Sequence, residues 1–362
     1  MAKNPHHPAR LPVDGLKIDY NQFGPELESA QYSLGRLEEA QRRLGNAGLL
    51  IAPLTAKEAE VSSKIEGTQT TVSELFMYEA GGEPQHSDAR QVSNYRAAMN
   101  FAMKELRQGR SINSHLLKTL QGRLLEGVRH EGQIGDFRHK PVWIAEKKGD
   151  PIEKAIYVPP EHFLVQDYID NLLAYIENGQ ESALIKAGIA HYQFEAVHPF
   201  EDGNGRIGRL LIPLVLCYRQ KLTQPILYIS GYFEAHRDEY LNALHGVDQS
   251  GRYEPWLAFF FKAVSGQLIE TQALIEKIQK LHEDIEVRFD KIKSPYIHRF
   301  ISFLFKQPVF TTENIAEEIR ASSPITVTRL ITLLKNEKLI EELGIRLGHY
   351  KLYRFKPLID LL

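Results

Sequence analysis

The chain reads as a series of long helical stretches, interrupted once by a short pair of strands and closed by a longer alternating tail. Residues 16 to about 110 carry helix-compatible segments, Ser33 to Leu44 and Ser87 to Arg107 among them, rich in Ala, Leu, Glu, Gln and Arg. A Gly-rich break at Gly81, Gly82 and Pro84 separates them, because such residues end a helical pattern. Helical patterns continue from Ser111 to about Gly266, with one exception. Pro141-Val-Trp-Ile-Ala145, a turn-prone Glu-Lys-Lys-Gly-Asp-Pro run and Ala155-Ile-Tyr-Val158 together predict a β-hairpin in an otherwise helical domain.

Farther on, Leu274, Ile275, Ile278, Leu281 and Ile285 fall among many Glu, Gln and Lys. That spacing gives one apolar stripe on a long helix over 267–293, read as a link between two domains. Beyond it, helices are predicted near Tyr296 to Phe305, Thr312 to Arg320 and Thr326 to Lys335, followed by an alternating tail from Leu343 to Phe355. Three helices and then a hairpin predict a winged helix. The expected division is a helical N-terminal region over 1–110, a catalytic-sized domain over 111–265, a linker helix over 266–293 and a winged-helix domain over 294–362. No long internal repeat and no low-complexity tract is visible.

Composition narrows the class. With 362 residues, 43% apolar and 25% charged, the chain has the make-up of a soluble globular protein and not of a fibre or a disordered tail. Its 44 basic and 46 acidic residues leave a net charge of −2, so no global field steers it to nucleic acid or an acidic membrane. The single Cys217 forms no intramolecular disulfide and leaves no Cys-based zinc site. The longest apolar run, Leu210 to Tyr218, contains Pro213 and falls short of the roughly 20 residues that a membrane helix needs. Met1 to Gly15 lacks the layout of a signal peptide and reads as an irregular arm. The expected location is cytoplasmic, with no membrane partner.

The chemistry concentrates in one string, His198-Pro-Phe-Glu-Asp-Gly-Asn-Gly-Arg-Ile-Gly-Arg209, set between the apolar helical segments Ala183 to Ala196 and Ile207 to Tyr218. Gly203, Gly205 and Gly208 spell GxGxxG, but a dinucleotide fingerprint needs a preceding strand and an acidic residue about 20 positions on. Here a helix precedes, and no Asp or Glu lies between Arg209 and Glu234. What is left is a Gly-Asn-Gly turn opening a helix, where backbone N–H groups and the helix dipole favour an anion. Arg206 and Arg209 lie three apart on that helix, and their guanidinium forks suit phosphate oxygens. Asp202 can hold Mg²⁺ against the same phosphates, since nucleotide-site magnesium commonly takes only one or two protein carboxylates. His198, at the loop entrance, can accept a proton at neutral pH, given an ordinary pKa of about 6.5. Together these parts describe attack on a phosphate ester or anhydride. Metal hydrolysis by His191 and His198 is disfavoured, because no HExxH pattern or second ligand set accompanies them.

The string resembles in full the HPFx(D/E)GNGRxxR signature of Fic-domain proteins, which transfer the AMP moiety of ATP to hydroxyl side chains of target proteins. Ile134-Gly-Asp-Phe-Arg138, Val142-Trp-Ile144 and Val158-Pro-Pro160 resemble the family's flap hairpin, and Arg237 to Leu244 with Trp256 resemble its closing helices. The resemblance implies a Fic-type helical core over about 111–265, with ATP as substrate and Mg²⁺ as cofactor. It makes His198 the general base, Asp202 the Mg²⁺ ligand and Phe200 structural. Gly203, Asn204 and Gly205 become the phosphate cradle, with Arg206 and Arg209 neutralising the phosphates and Arg209 facing chiefly the γ-phosphate. Ile144 matches the flap residue over the adenine, and Tyr240 or Leu241 falls on the helix side of the adenine pocket. Packing within the hairpin is an equal reading for Ile144.

Upstream, Ser62-Ser-Lys-Ile-Glu66-Gly67 resembles the (S/T)xxxE(G/N) inhibitory motif of Fic proteins whose brake lies N-terminal to the catalytic domain. The resemblance implies that Glu66, with Ser62 and Gly67, blocks productive ATP binding by pairing with Arg209. A carboxylate on the guanidinium competes for the fork that phosphate needs. The hairpin edge at Val142 to Ile144 is expected to receive a target segment by strand addition. Two alternatives stay open: another Fic-type transfer or AMP removal, and a DNA-binding regulator. For the latter, residues 294–362 carry ten Lys and Arg against seven acidic residues, only mildly basic. Thr328, Arg329 and Lys335 would face a groove, with Arg346, Lys351 and Arg354 facing phosphates. A homodimer also stays open.

Overall fold

The computed structural model describes residues 4–12, 14–43, 48–83, 88–130, 132–145, 147, 149–290, 292, 294–320 and 323–362. Helices are α1 (Gly24–Arg43), α2 (Gly48–Ile65), α3 (Val72–Glu79), α4 (Ala89–Arg107) and α5 (Ser114–Leu124). The short strands β1 (Ile144–Ala145) and β2 (Ala155–Tyr157) follow. Then come α6 (Val165–Asn178), α7 (Ala183–Val197), α8 (Asn204–Tyr218), α9 (Ser230–Ala235), α10 (Arg237–Ser250) and α11 (Glu254–Phe289). The C-terminal elements are α12 (Ile297–Lys306), β3 (Val309–Thr311), α13 (Thr312–Ile319), α14 (Pro324–Asn336), β4 (Ile340–Leu347) and β5 (Tyr350–Phe355). The chain divides into two compact units, one of residues 1–38 and 94–268, the other of 39–93 and 269–362. The N-terminal 110 residues are therefore shared between the units. Leu44, Pro84, Ser87 and hairpin positions 146 and 148 lie outside the described residues.

The first unit is built around α7. Every residue from Ala183 to Val197 except Glu195 is buried, so this mostly apolar helix lies within the core with Lys186, His191 and Gln193 enclosed alongside its apolar residues. Ser182 caps its start by accepting from the Ile185 amide. Against it lies α6, whose buried Val165, Tyr168, Ile169, Leu172, Tyr175 and Ile176 form a single amphipathic face. Glycine permits close approach to α7. A Cβ at Gly188 would meet Phe260 Cδ1 at 2.9 Å, and Trp256 Nε1 donates to the Gly188 carbonyl at 2.9 Å. The stripe predicted over 267–293 proves to be the second half of α11, a helix that already begins at Glu254 and buries Trp256, Leu257 and Phe260.

The N-terminal arm is irregular, as its prolines require, yet tied down along the first unit. The His6 amide donates to the Val158 carbonyl at 2.8 Å. Asn171 exchanges two hydrogen bonds with the backbone of Leu11, and Gln193 Nε2 reaches the Ala9 carbonyl at 3.1 Å. Side-chain amides thus supply what a strand partner would otherwise give.

In the second unit, the three predicted C-terminal helices are present, two of them with sequence-legible caps: a Thr311–Asn314 capping box on α13, and Ser323 with Pro324 at the start of α14. The alternating tail forms the hairpin β4–β5, with Ile340 opposite Phe355 and Leu347 opposite Tyr350. Strand β3, which the pattern did not predict, adds to it in the order β3-β5-β4 and places Phe310 opposite Tyr353. No helix among the described residues is long and apolar enough to cross a membrane.

Behind the first unit's central loop lies an aromatic cluster of Phe233, Tyr240 and Trp256 around the fully buried His191. The imidazole Nε2 shares a 2.8 Å hydrogen bond with the Tyr240 hydroxyl. Burial pushes His191 down to about 3, and the nearby Arg209 charge acts in the same direction. Unfolded, this imidazole binds a proton at about pH 6.5. Folding stability therefore falls as pH drops from about 6.5 towards 3, since the unfolded chain then binds the extra proton. His191→Gln keeps a partner for Tyr240 and cannot titrate. Urea midpoints measured from pH 7 to pH 4.5 should fall less steeply for the variant than for the wild type; parallel curves would remove His191 from the acid response.

Candidate active site

The turn between α7 and α8 carries the signature residues. At the end of α7, His198 adopts φ 48° and ψ 62° and closes the helix with its amide on the Phe194 carbonyl. A left-handed residue that is not glycine costs about 1–2 kcal/mol, so the surroundings must hold it there. Phe200 is fully buried, with its ring centroid 5.3 Å from that of Phe137 and 6.3 Å from that of Phe194. Asn204 fastens the turn upon itself: its Oδ1 accepts from the Phe200 amide and its Nδ2 donates to the Phe200 carbonyl, both at 2.8 Å. Gly203 has φ 86°, and a Cβ there would stand 3.1 Å from Leu124. Conformation and space both demand glycine at this position.

No side chain caps the first turn of α8 at its N-cap, Gly203. Free N–H groups at such an end can receive an anion, and its neighbours are cationic. Arg206 is 4% and Arg209 2% exposed, so both guanidinium groups are withdrawn from water, a placement that favours anionic company. Asp202 is half-buried, with Oδ1 3.4 Å from Arg206 Nη2. Among the described residues no group of three or more His, Cys, Asp and Glu could enclose a metal. One carboxylate beside a phosphate seat fits Mg²⁺ that draws its remaining ligands from a nucleotide and water. His198 is half-buried at the mouth of the turn, and Gly205 is half-buried in the first turn of α8.

The structure gathers His198, Asp202, Gly203, Asn204, Gly205, Arg206 and Arg209 on this one turn and helix. Ile144 is half-buried in β1, opposite Tyr157. Of the two residues assigned to the helix side of the adenine pocket, Tyr240 is buried in the aromatic cluster with its hydroxyl on His191, whereas Leu241 is 37% exposed. In the second unit, Ser62 is fully buried on α2. Glu66 lies one residue past the end of α2, exposed, in a turn that Gly67 closes with φ 97°.

Three residues outside the assigned site set also shape the turn. Arg138 and Gln121 are buried and bond to backbone carbonyls around the turn. Gly208, which looked like part of a phosphate fingerprint, is a packing residue: a Cβ there would stand 2.2 Å from Glu195 Oε1 and 3.3 Å from His191 Nδ1.

Comparison with known proteins adds independent findings. The family model described as Fic/DOC family N-terminal matches residues 25–104, and that of the Fic/DOC family matches residues 111–216. A probable protein adenylyltransferase of Aquifex aeolicus is 22% identical over 52% of this chain and 55% of its own length. Protein adenylyltransferase fic-1 of Caenorhabditis briggsae is 30% identical over 42% of this chain and 33% of its own. The chain thus spans about half, or less, of these curated relatives. Among solved structures, a Fic family protein from Desulfovibrio desulfuricans G20 superposes with a TM-score of 0.60, at 19% identity, over 95% of this chain and 98% of that one. Fic-1 from C. elegans superposes with a TM-score of 0.51, at 20% identity, over 70% of this chain and 72% of that one.

Proposed function

Because the chain is a Fic domain protein, with the family's N-terminal and catalytic segments both present, we propose that it transfers AMP from ATP to hydroxyl side chains of proteins, its own among them. The observation that carries this reading is the convergence, on one turn and one helix start, of a half-buried imidazole, a carboxylate, an uncapped helix N-terminus and two desolvated arginines. Relatives named as protein adenylyltransferases support it.

In this mechanism the cradle of Gly203, Asn204 and Gly205 and the forks of Arg206 and Arg209 bind the ATP phosphates. His198 accepts the proton of a Tyr, Thr or Ser hydroxyl as its oxygen bonds to the α-phosphorus. The bond from that phosphorus to the α–β bridging oxygen breaks, and pyrophosphate leaves. Asp202 would hold Mg²⁺, which when bound neutralises phosphate charge. The buried arginines lose no reorganisation energy as charge develops on the leaving group, which is where electrostatic stabilisation is most effective.

Glu66 is the brake in this reading. It would pair with Arg209 and occupy the fork intended for the γ-phosphate. We read residues 294–362 as a winged helix on the strength of its element order and strand pairing. Target segments would add to the outer edge of β1, which has β2 as its one partner in a two-stranded sheet among the described residues. Trp143 flanks that edge, 40% exposed, with its Nε1 on the Asp150 carbonyl at 2.7 Å.

Two experiments follow. Wild type, Glu66→Gly and Glu66→Gly/His198→Ala are incubated with Mg-ATP and read by intact mass. Only Glu66→Gly should gain AMP readily, at a rate at least tenfold above wild type. Equal gain in all three would remove both the brake and the base. Separately, Trp143→Asp in the Glu66→Gly chain should cut modification of protein targets at least tenfold while ATP affinity stays within about threefold. Equal losses in both would end the docking role.

A further inference from the structure

Two buried side chains hold the catalytic turn at its opposite ends, and neither belongs to the signature. Arg138, 2% exposed, spends its fork on backbone carbonyls. Its Nε donates to the His198 carbonyl at 2.8 Å, and its Nη2 to the carbonyls of Val197 and Pro160. Nη1 reaches the Lys140 carbonyl at 3.4 Å, and the Arg138 amide donates to the Pro199 carbonyl at 2.9 Å. At the other end Gln121, fully buried on α5, donates from Nε2 to the Asp202 carbonyl at 3.3 Å and to that of Gln133 at 3.4 Å. Its Oε1 accepts from the Gly135 amide.

Each partner of the Arg138 guanidinium is a neutral carbonyl. The group makes no ion pair among the described residues, so charge pairing does not explain an arginine here. Burial lowers it to about 10, which leaves it charged at neutral pH. What arginine alone offers is a rigid planar fork of five donors, able to bind several carbonyls at once. One of those carbonyls belongs to His198, the residue held in a left-handed conformation. Fixing that carbonyl fixes the ψ angle of His198, and with it the direction in which the Cα–Cβ bond projects. The Pro160 carbonyl lies three residues beyond β2, so the same guanidinium also ties the end of the flap hairpin to the turn.

We propose that Arg138 and Gln121 are positioning residues for the transfer reaction: Arg138 sets the backbone of the base and couples it to the flap, and Gln121 sets the backbone of the metal-side carboxylate. Neither touches ATP or the attacking hydroxyl. The inference rests on the AMP-transfer reading of the same turn. A misplacement of about 1 Å in a reacting group can cost about 100-fold in rate, so the effect belongs in the catalytic rate and not in nucleotide affinity.

The test uses the full chain carrying Glu66→Gly, compared with the same chain bearing Arg138→Lys, Arg138→Met or Gln121→Met. All measurements are made well below each protein's melting midpoint. Three quantities are read: the self-modification rate at saturating ATP, the ATP dissociation constant, and the NMR signals of ¹³Cε1-labelled histidines. The His198 signal is identified by its loss in His198→Ala. The rate should fall at least tenfold for Arg138→Met and less for Arg138→Lys, with ATP affinity within about threefold. The His198 signal should move while that of His245 stays. Should Arg138→Met not fold, Arg138→Lys and Gln121→Met are read in the same way. An unmoved His198 signal with a full rate in the folded variants overturns the proposal, because a purely structural arginine would lower the melting midpoint and nothing else. A displaced His198 signal in proteins that transfer no AMP, the Glu66→Gly reference included, supports the clamp while refuting the AMP-transfer reading.

Discussion

The site depends on the reversal of the chain between two buried helices. Helices α7 and α8 pack so closely that Gly208 leaves no room for a methyl group beside Glu195, and the segment joining them must turn within the six residues 198–203. Such a turn needs left-handed backbone at both ends. Gly203 supplies one end at little cost, whereas His198 supplies the other against its own preference. The imidazole proposed as the base is therefore carried by a residue in left-handed backbone. The strain persists because Asn204, Arg138 and the buried Phe200 together over-determine the loop.

That constraint sets the electrostatics too. The turn into α8 leaves the buried start of the helix without a side-chain cap, and the same helix brings Arg206 and Arg209 to positions almost without solvent. A guanidinium group held almost out of water is costly unless it is paired. In the proposed function the phosphates of ATP would pair with those groups, and the Glu66 carboxylate would compete for one of them. In the proposed reading, the brake and the phosphate seat would be two uses of one pair of guanidinium groups.

Much of this was legible in the sequence because the chemistry is local. His198, Asp202, the glycines and both arginines fall within twelve residues, and helical spacing alone places them at one helix start. The apolar pattern of α7 likewise acts over short range. Arg138 was legible only as part of the stretch that resembles the flap, and Gln121 not at all. Their partners are main-chain carbonyls some 60 to 80 positions away, and a carbonyl leaves no mark on residue type. Strand β3 escaped notice because three residues, Val309–Thr311, are too few to show alternation. Tyr240 and Leu241 differ in burial: adjacent positions on a helix point about 100° apart, and the pattern did not show which of them faces the core.

The central claim is that the turn moves an adenylyl group and not a terminal phosphoryl group or a water molecule. ATP labelled with ³²P at the α-phosphate, and separately at the γ-phosphate, distinguishes these outcomes when incubated with the Glu66→Gly chain. The account predicts that the α label stays on protein through denaturation while the γ label leaves as pyrophosphate. Retention of the γ label on protein, or free AMP with no α label on protein, would contradict it.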